Sequence, residues 1–131
     1  MTTRFTGSGN LGNTPTLTAS VGDEQRNVAD MRIYFDRPVK SANSDQYQDK
    51  GGFWLDVSAW DWLAEEVVRV LTKGMRVKVE GSMKYNTWTD TSTGETHARM
   101  VLYADDITLA LGRIEQVTLR SKQPPHDAAD R

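Results

Sequence analysis

Cysteine is absent from the 131-residue sequence. Without thiols, the protein has neither a disulfide framework nor a thiolate zinc site. The sequence also lacks a run of about 18 apolar residues, the length that a membrane helix requires, and its first residues lack the apolar segment of a signal peptide. We therefore expect a cytoplasmic protein without membrane contact. The chain length predicts one domain, since about 100 to 120 residues suffice for a buried core.

Groups that could perform catalysis are scarce. His97 and His126 are the only histidines and lie far apart in the sequence. Asp105 and Asp106 are adjacent, and neighbouring strand residues point to opposite faces, so a solvated turn explains them better than an acid/base pair. No glycine-rich phosphate loop ending in Gly-Lys-Ser or Gly-Lys-Thr occurs. The sequence therefore predicts a binding protein rather than an enzyme, with no cofactor and no metal.

Charge of one sign is not in excess either. Sixteen Lys and Arg residues against eighteen Asp and Glu residues leave a formal net charge of -2. Nucleic-acid-binding proteins tend to be basic, so this total argues mildly against a polyanionic partner. Local clustering of cations would have to outweigh it.

The sequence does contain five strand patterns. Short β-favouring runs over residues 4–20 and 28–35 are broken by Gly, Asn and Pro, as in bent strands. FWLDVSAW at residues 53–60 predicts a third strand, and alternation returns over residues 75–88 and 97–111. In the last pattern, Ala98, Met100 and Leu102 are expected to face the core while Arg99, Val101 and Tyr103 face outward.

One helical pattern interrupts the strands. Apolar residues recur at helical spacing over residues 61–74, with Asp61 expected as the N-cap and with Lys73 and Gly74 closing the segment. The order of three strands, a helix and two strands is that of the all-β, five-stranded OB-fold barrel with one short helix between the third and fourth strands.

The remaining segments predict connections. Residues 37–52 contain turn formers and charges without a period, which indicates a long loop. The pattern fades near residue 116. We therefore expect an OB-fold domain over residues 1–115 and a flexible C-terminal tail over residues 116–131.

The third strand raises the functional question. Phe53, Leu55 and Val57 alternate with Trp54, Asp56 and Trp60, so two tryptophans share the polar face with a carboxylate. The same parity collects aromatic and cationic residues from the other strands. The outward candidates are Arg32, Tyr34, Trp54, Trp60, Arg76, Lys78, Lys84, Trp88, Arg99 and Tyr103.

Alternating aromatic and cationic side chains suit a stacking platform for nucleic-acid bases, since rings cover bases while Lys and Arg follow the phosphates. The competing explanation is that these tryptophans pack under a loop, under the helix or against another subunit. Trp62 is expected to serve packing alone. Asp56 weakens the platform hypothesis, because a carboxylate between two tryptophans repels phosphate.

Three segments carry a family resemblance: GNLGNTP at residues 9–15, FWLDVSAWDWLAEEVVRVLTKG at residues 53–74 and VKVEGSMKYNTWTDTSTGE at residues 77–95. In this order and spacing they resemble the bacterial single-stranded DNA-binding proteins, over about residues 5 to 111. The resemblance implies an OB domain that binds single-stranded DNA without strong sequence preference, as a homo-oligomer, commonly a homotetramer, with a dimer as the alternative.

The resemblance also implies site residues. Trp54 and Trp88 match family tryptophans, Trp60 stands where the family usually has Phe, Lys84 occupies a basic position, and Lys73 matches the lysine that ends the helix. Tyr34, Arg32 and Arg99 rest on strand parity alone.

Several positions depart from the family pattern. An aromatic after the second strand is missing, with Tyr47 as a candidate substitute. Asp56 stands where many relatives have a basic residue, and Asn86 and Thr87 replace cations. The family usually ends in an acidic, Phe-ending recruiting tip, whereas this chain stops at PPHDAADR. Either the sequence is truncated, or it is a divergent member, such as one from a mobile element.

The sequence thus predicts a protein that coats exposed single strands during replication, recombination, repair or DNA transfer. Two alternatives stay open: an OB-fold accessory protein of replication restart that acts through protein contacts, and an oligosaccharide-binding OB module, since aromatic platforms also stack on sugars.

Overall fold

The structure, a computed structural model, describes residues 3–36, 38–40, 47–49 and 51–122. It contains eight strands and one helix in those ranges: β1 (Arg4–Leu11), β2 (Thr16–Val21), β3 (Arg26–Phe35), β4 (Pro38–Lys40), β5 (Tyr47–Asp49), β6 (Phe53–Trp60), α1 (Asp61–Val70), β7 (Arg76–Thr89) and β8 (Thr96–Leu109).

Five strands form a closed barrel. The six-stranded sheet has the order β1-β7-β8-β6-β3-β2, and β1 also pairs with β3, which closes the ring. The β6–β8 pair is parallel, and the other pairs of this sheet are antiparallel. β1 and β2 together form the first predicted strand, divided at residues 12–15. The predicted OB order, with the helix between the third and fourth barrel strands, is confirmed.

The barrel interior is filled by apolar side chains of the inward parity. Ile33, Val57, Val77, Val79 and Leu102 are all fully buried. Each occupies an inward position in the alternating pattern of its strand, so the strand period of two explains the core. Burial of such side chains is the main source of stability for a domain of this size.

Helix α1 closes one end of the barrel with the buried residues Leu63, Ala64 and Val67. These three residues recur at helical spacing and define the apolar stripe that meets the barrel. Trp62 is partly buried against the same core, as expected. The helix ends at Val70.

The expected N-cap is wrong. Trp60, with an extended backbone, occupies the N-cap position, and no side chain caps the helix. The carboxylate of Asp61 instead accepts hydrogen bonds from Arg26, at 3.0 Å from Nε and 2.8 Å from Nη2. Asp61 has a φ of 55°, a left-handed conformation that Asp tolerates better than most residues. Because Arg26 precedes Val28, the partner of Trp60 in β3, the sheet register brings it to the helix start.

Three expectations near the barrel end opposite α1 are wrong, and they concern Phe53, the pair Ala98 and Met100, and Val101. Phe53 was predicted to be core but is 47% exposed, since it begins β6 at this rim. The β7–β8 pair extends beyond the barrel as a ribbon, so Ala98 and the 41% exposed Met100 have the inward parity but no sheet opposite them. Val101 has the outward parity and is nevertheless 2% exposed, because it lies in register between Asp56 and Lys84.

The predicted long loop over residues 37–52 contains a short hairpin. β4 and β5 pair antiparallel there, with Pro38 opposite Asp49 and Lys40 opposite Tyr47. Sequence periodicity did not detect this pair, because each strand has only three residues and turn-forming residues surround them. The side chain of Tyr47 lies outside the described part, so its role as a substitute aromatic stays a prediction.

After β8, residues 110–122 have neither helix nor strand. Arg120 nevertheless contacts α1, because its Nη2 donates to Glu66 Oε1 at 2.7 Å. Arg69 donates to the other oxygen at 3.0 Å. The hydrogen bond from Arg69 is the main cause that holds the pKa of Glu66 below its ordinary value. The bond from Arg120 acts in the same direction, and desolvation acts in the opposite one. The proposed boundary at residue 115 stays a prediction, and residues 123–131 lie outside the described ranges.

Within the described ranges, no helix combines the length and the hydropathy needed to cross a bilayer.

Gly81 marks a bulge in β7. The register of β7 with β8 shifts between Glu80 and Gly81. A Cβ at Gly81 would overlap the carbonyl oxygen of Tyr103 and approach Ala104 Cα to 2.9 Å. Glycine therefore permits the close approach of two backbones where the ribbon leaves the barrel.

We expect Gly81→Ala to lower the free energy of unfolding by about 1 to 3 kcal/mol, since the added carbon meets backbone that cannot turn aside. Denaturant unfolding measures the change. Gly112→Ala is the control, because a Cβ there faces open space. Equal stability of the two variants would contradict the close approach.

Candidate nucleic-acid interface

The strand register places those predicted site residues that lie in strands on one outer surface. Tyr34 lies opposite Trp54, and Arg32 lies opposite Asp56. Directly opposed residues of neighbouring strands point to the same side, and the same rule extends the surface across β8 and β7. We call this surface the aromatic face; it comprises Arg32, Tyr34, Trp54, Asp56, Trp60, Lys84, Trp88, Arg99 and Tyr103.

Trp54 is half exposed, at 51%, and has three neighbours. The ring of Tyr34 meets it edge-on, with centroids 5.4 Å apart. The guanidinium carbon of Arg32 lies 5.6 Å from its ring centroid, within cation–π range. On the side of the β1–β2 turn, a Cβ at Gly12 would approach Trp54 Cη2 to 2.7 Å. The indole therefore rests against glycine backbone and retains an open surface.

Asp56 connects two predicted cations. Its Oδ1 accepts a hydrogen bond from Arg32 Nη1 at 3.1 Å, and its Oδ2 lies 3.5 Å from Arg99 Nη1. The arginine side chains are 54% and 57% exposed, whereas that of Asp56 is 25% exposed. The carboxylate expected to repel phosphate is thus paired with the cations expected to attract it.

Trp60 is half buried and borders a cleft of 370 Å³ that is also lined by Tyr103. The guanidinium carbon of Arg26 lies 4.9 Å from the Trp60 ring centroid. The hydrogen bond to Asp61 is the main cause that raises the pKa of Arg26 above its ordinary value. Trp60 therefore offers a ring that is already covered in part by a cation.

Trp88 lies on the ribbon, away from the other tryptophans, and is 48% exposed. The ring of His97, its partner in β8, stacks on it with centroids 5.5 Å apart and an angle of 27° between planes. One side of the indole is therefore covered by imidazole.

Lys84 and Arg99 occupy the stretch between Trp88 and the barrel. The Nζ atom of Lys84 lies 5.6 Å from the ring centroid of Tyr103. Asn86, which stands in place of a family cation, donates a long hydrogen bond of 3.5 Å to the hydroxyl of Tyr103. Within the described part of the chain, Lys84 forms no ion pair and keeps its charge available.

Lys73 lies beside the aromatic face rather than on it. Its backbone N–H donates to Thr14 Oγ1 at 3.1 Å, and Asn13 of the same turn accepts a hydrogen bond from the Arg32 backbone at 2.8 Å. The turn thus links Lys73 to the surroundings of Trp54. Lys73 also lines a cleft of 350 Å³ together with Arg113.

One outward cation is used for structure. Arg76 donates to Asp36 Oδ1 at 2.8 Å and to Asn10 Oδ1 at 2.9 Å. The hydrogen bond to Asp36 raises the pKa of Arg76 above its ordinary value, and desolvation opposes this rise. This pair joins β7 to the end of β3, so Arg76 serves the barrel.

Sequence reasoning missed Arg26 and His97 as neighbours of the candidate rings. Both were detectable by parity: Arg26 has the parity of Arg32 in β3, which begins two residues earlier than predicted, and His97 has the parity of Arg99. No group of three or more His, Asp or Glu side chains in the described ranges is placed to hold a metal ion.

A closed five-stranded barrel with one capping helix, and with aromatic and cationic residues across one outer face, defines an OB-fold protein with the surface of a nucleic-acid binder. The family can be stated more closely. Residues 3–110 match the model of the Single-strand binding protein family, and the chain belongs to that family.

Individual relatives agree with this assignment. The chain is 32% identical over 80 residues to the single-stranded DNA-binding protein of Corynebacterium glutamicum, covering 61% of this chain and 35% of the relative. It is 32% identical over 56 residues to single-stranded DNA-binding protein 1 of a Nostoc species, covering 43% and 47%. The matches thus span less than half the length of these relatives.

A solved structure supports the fold. The small single-stranded DNA-binding protein from Streptomyces coelicolor superposes with a TM-score of 0.70 at 19% identity, covering 86% of this chain and 98% of that chain.

We expect Gly12→Ala to displace the Trp54 indole, since the added Cβ would overlap the ring. The displaced ring enters water more fully, so tryptophan emission should shift to longer wavelength. The same substitution in a Trp54→Phe background should produce no shift, and Gly112→Ala is the control. A shift that persists without Trp54 would contradict the contact.

Proposed function

We propose that the protein binds single-stranded DNA without strong sequence preference and protects exposed strands during replication, recombination, repair or DNA transfer. The supporting observation is that Trp54, Trp60 and Trp88 share one outer face, with Arg32 beside the first ring and Arg26 beside the second. Every base has a π-face, so stacking on these rings does not depend on base identity. The chain acts by binding, and the proposal requires no catalytic group and no cofactor.

The energies of the two contact types suffice for this role. Stacking contributes roughly 1 to 3 kcal/mol per base, so three rings anchor a short stretch of strand. Lys84, Arg32, Arg99 and Lys73 lie on or beside the same face and supply phosphate contacts. The net charge of -2 is a sum over the whole chain, whereas binding depends on the charge that a DNA strand meets locally. No observation specifically favours a replication-restart accessory or an oligosaccharide-binding module.

We further propose that the protein acts as a homo-oligomer, a tetramer by the family resemblance, in the bacterial cytoplasm. Its support is the exposure of large apolar side chains at the start of β6 and on the ribbon: Phe53 at 47%, Tyr85 at 63% and Met100 at 41%. Tyr85 and Met100 lie opposite each other in register, and exposed apolar surface of this kind marks protein contacts.

Substitution of the rings tests the stacking role. Trp54→Ala and Trp88→Ala should each weaken binding of oligo-dT by about 5- to 150-fold, since each removes one stacked base. Fluorescence anisotropy of a labelled oligonucleotide measures the affinity. Leu119→Ala is the control, because Leu119 is 86% exposed and lies outside the aromatic face.

Rising salt should weaken oligo-dT binding, and duplex DNA and an oligosaccharide should bind poorly in the same assay. Unchanged affinity in both ring variants, with the fold intact by thermal melting, would reject the aromatic face as the binding site.

The assembly is tested separately by light scattering coupled to gel filtration. A mass that is a multiple of the 14.7 kDa chain is expected, four copies for the tetramer. Met100→Lys should reduce the mass if the ribbon forms the contact, since a charge cannot be buried there without a partner. A mass of one chain in the unaltered protein would reject the homo-oligomer.

A further inference from the structure

Asp56 occupies the centre of the cation cluster on the aromatic face. In register it has Arg32 of β3 on one side and Val101 of β8 on the other, with Lys84 of β7 opposite Val101. Arg99 approaches from β8 at 3.5 Å, and Arg32 binds at 3.1 Å. One carboxylate therefore stands among three cations that a phosphate backbone would need.

The two arginines are divided between the two carboxylate oxygens. Arg32 contacts Oδ1 and Arg99 contacts Oδ2. A phosphate offers the same kind of oxygen acceptors to the same N–H donors. Carboxylate and phosphate therefore compete for these arginines rather than add to one another.

The side chains differ in their freedom to move. Asp56 is short and 25% exposed, while both arginines are long and more than half exposed. An arginine can leave the carboxylate to follow a strand, but the carboxylate cannot withdraw. Arg32 also lies 5.6 Å from the Trp54 centroid, so its position beside Asp56 restricts access to that ring.

We propose that Asp56 is an internal competitor for the DNA phosphate: it holds Arg32 and Arg99 against the sheet and thereby sets a lower affinity and a weaker salt dependence for single-stranded DNA. This inference rests on the proposed function. Pairing with a carboxylate could instead be expected to preorganise the arginines for the ligand. The free energy of binding favours the opposite, because exchange of a carboxylate for a phosphate gains less than capture of a phosphate by free arginines.

Asp56→Asn removes the negative charge and retains an oxygen that accepts one arginine hydrogen bond. We expect it to bind oligo-dT about five- to tenfold more tightly at low salt, since the local charge rises by one unit beside the phosphates. The plot of log affinity against log salt should steepen by about 0.7 for each additional phosphate contact.

Glu66→Gln is the matched control. Glu66 is also a carboxylate that binds two arginines, Arg69 and Arg120, but it lies on α1 beside Leu63 and Val67, outside the aromatic face. The substitution changes the net charge by the same amount. We expect its affinity to stay within about twofold of the unaltered protein and its salt slope to stay the same.

A double-mutant cycle isolates Arg99. Arg99→Gln should cost more affinity in the Asp56→Asn protein than in the unaltered protein, because Asp56 no longer restrains the arginine. Equal costs in both backgrounds would overturn the inference. Thermal melting checks the fold, and if Asp56→Asn fails to fold, Asp56→Ser takes its place with the same expected direction.

The outcomes separate the two proposals. If the unaltered protein binds oligo-dT and Asp56→Asn binds equally or more weakly, Asp56 positions the arginines and the competitor role is rejected while the function stands. If neither protein binds, the proposed function fails and this inference fails with it.

Discussion

The register between β3 and β6 is the constraint on which the aromatic face depends. Because Tyr34 lies opposite Trp54 and Arg32 opposite Asp56, the outward residues of two strands become neighbours in pairs. A shift of one residue in either strand would turn these side chains toward the core and expose apolar ones. The apolar residues that alternate with them, such as Ile33 and Val57, prevent that shift by being fully buried. The stability of the barrel and the geometry of the candidate site therefore have one cause.

The parallel contact between β6 and β8 extends this surface to the ribbon. It brings Arg99 and Tyr103 beside the residues of β6, whereas Trp88 lies farther out on the ribbon. The glycine bulge at Gly81 marks where β7 leaves the barrel. A DNA strand bound to Trp54 and Trp88 would thus contact both the barrel and the projecting ribbon. In the proposed function the barrel supplies fixed rings, and the ribbon supplies a ring and cations farther along the path.

Charge on and beside the aromatic face is balanced by pairing rather than by number. Arg26, Arg32 and Arg99 each have a carboxylate partner in the described part of the chain, while Lys84 faces a ring. Surface ion pairs of this kind contribute little to stability. Their more important effect is on the charge that is available to a ligand. For this reason the proposed role of Asp56 concerns affinity and salt dependence rather than folding.

The sequence by itself determined the alternation that separates core from surface, the helix α1 and the order of the barrel strands around it, since each of these depends on local periodicity. It also identified the outward parity of Trp54 and Trp88. Only the tertiary structure decided which outward residues meet, because pairing partners lie far apart in the chain: the two arginines on Asp56 come from different strands. Burial at Val101 and exposure at Phe53 were decided in the same way, since they depend on where a strand lies in the barrel and not on its pattern.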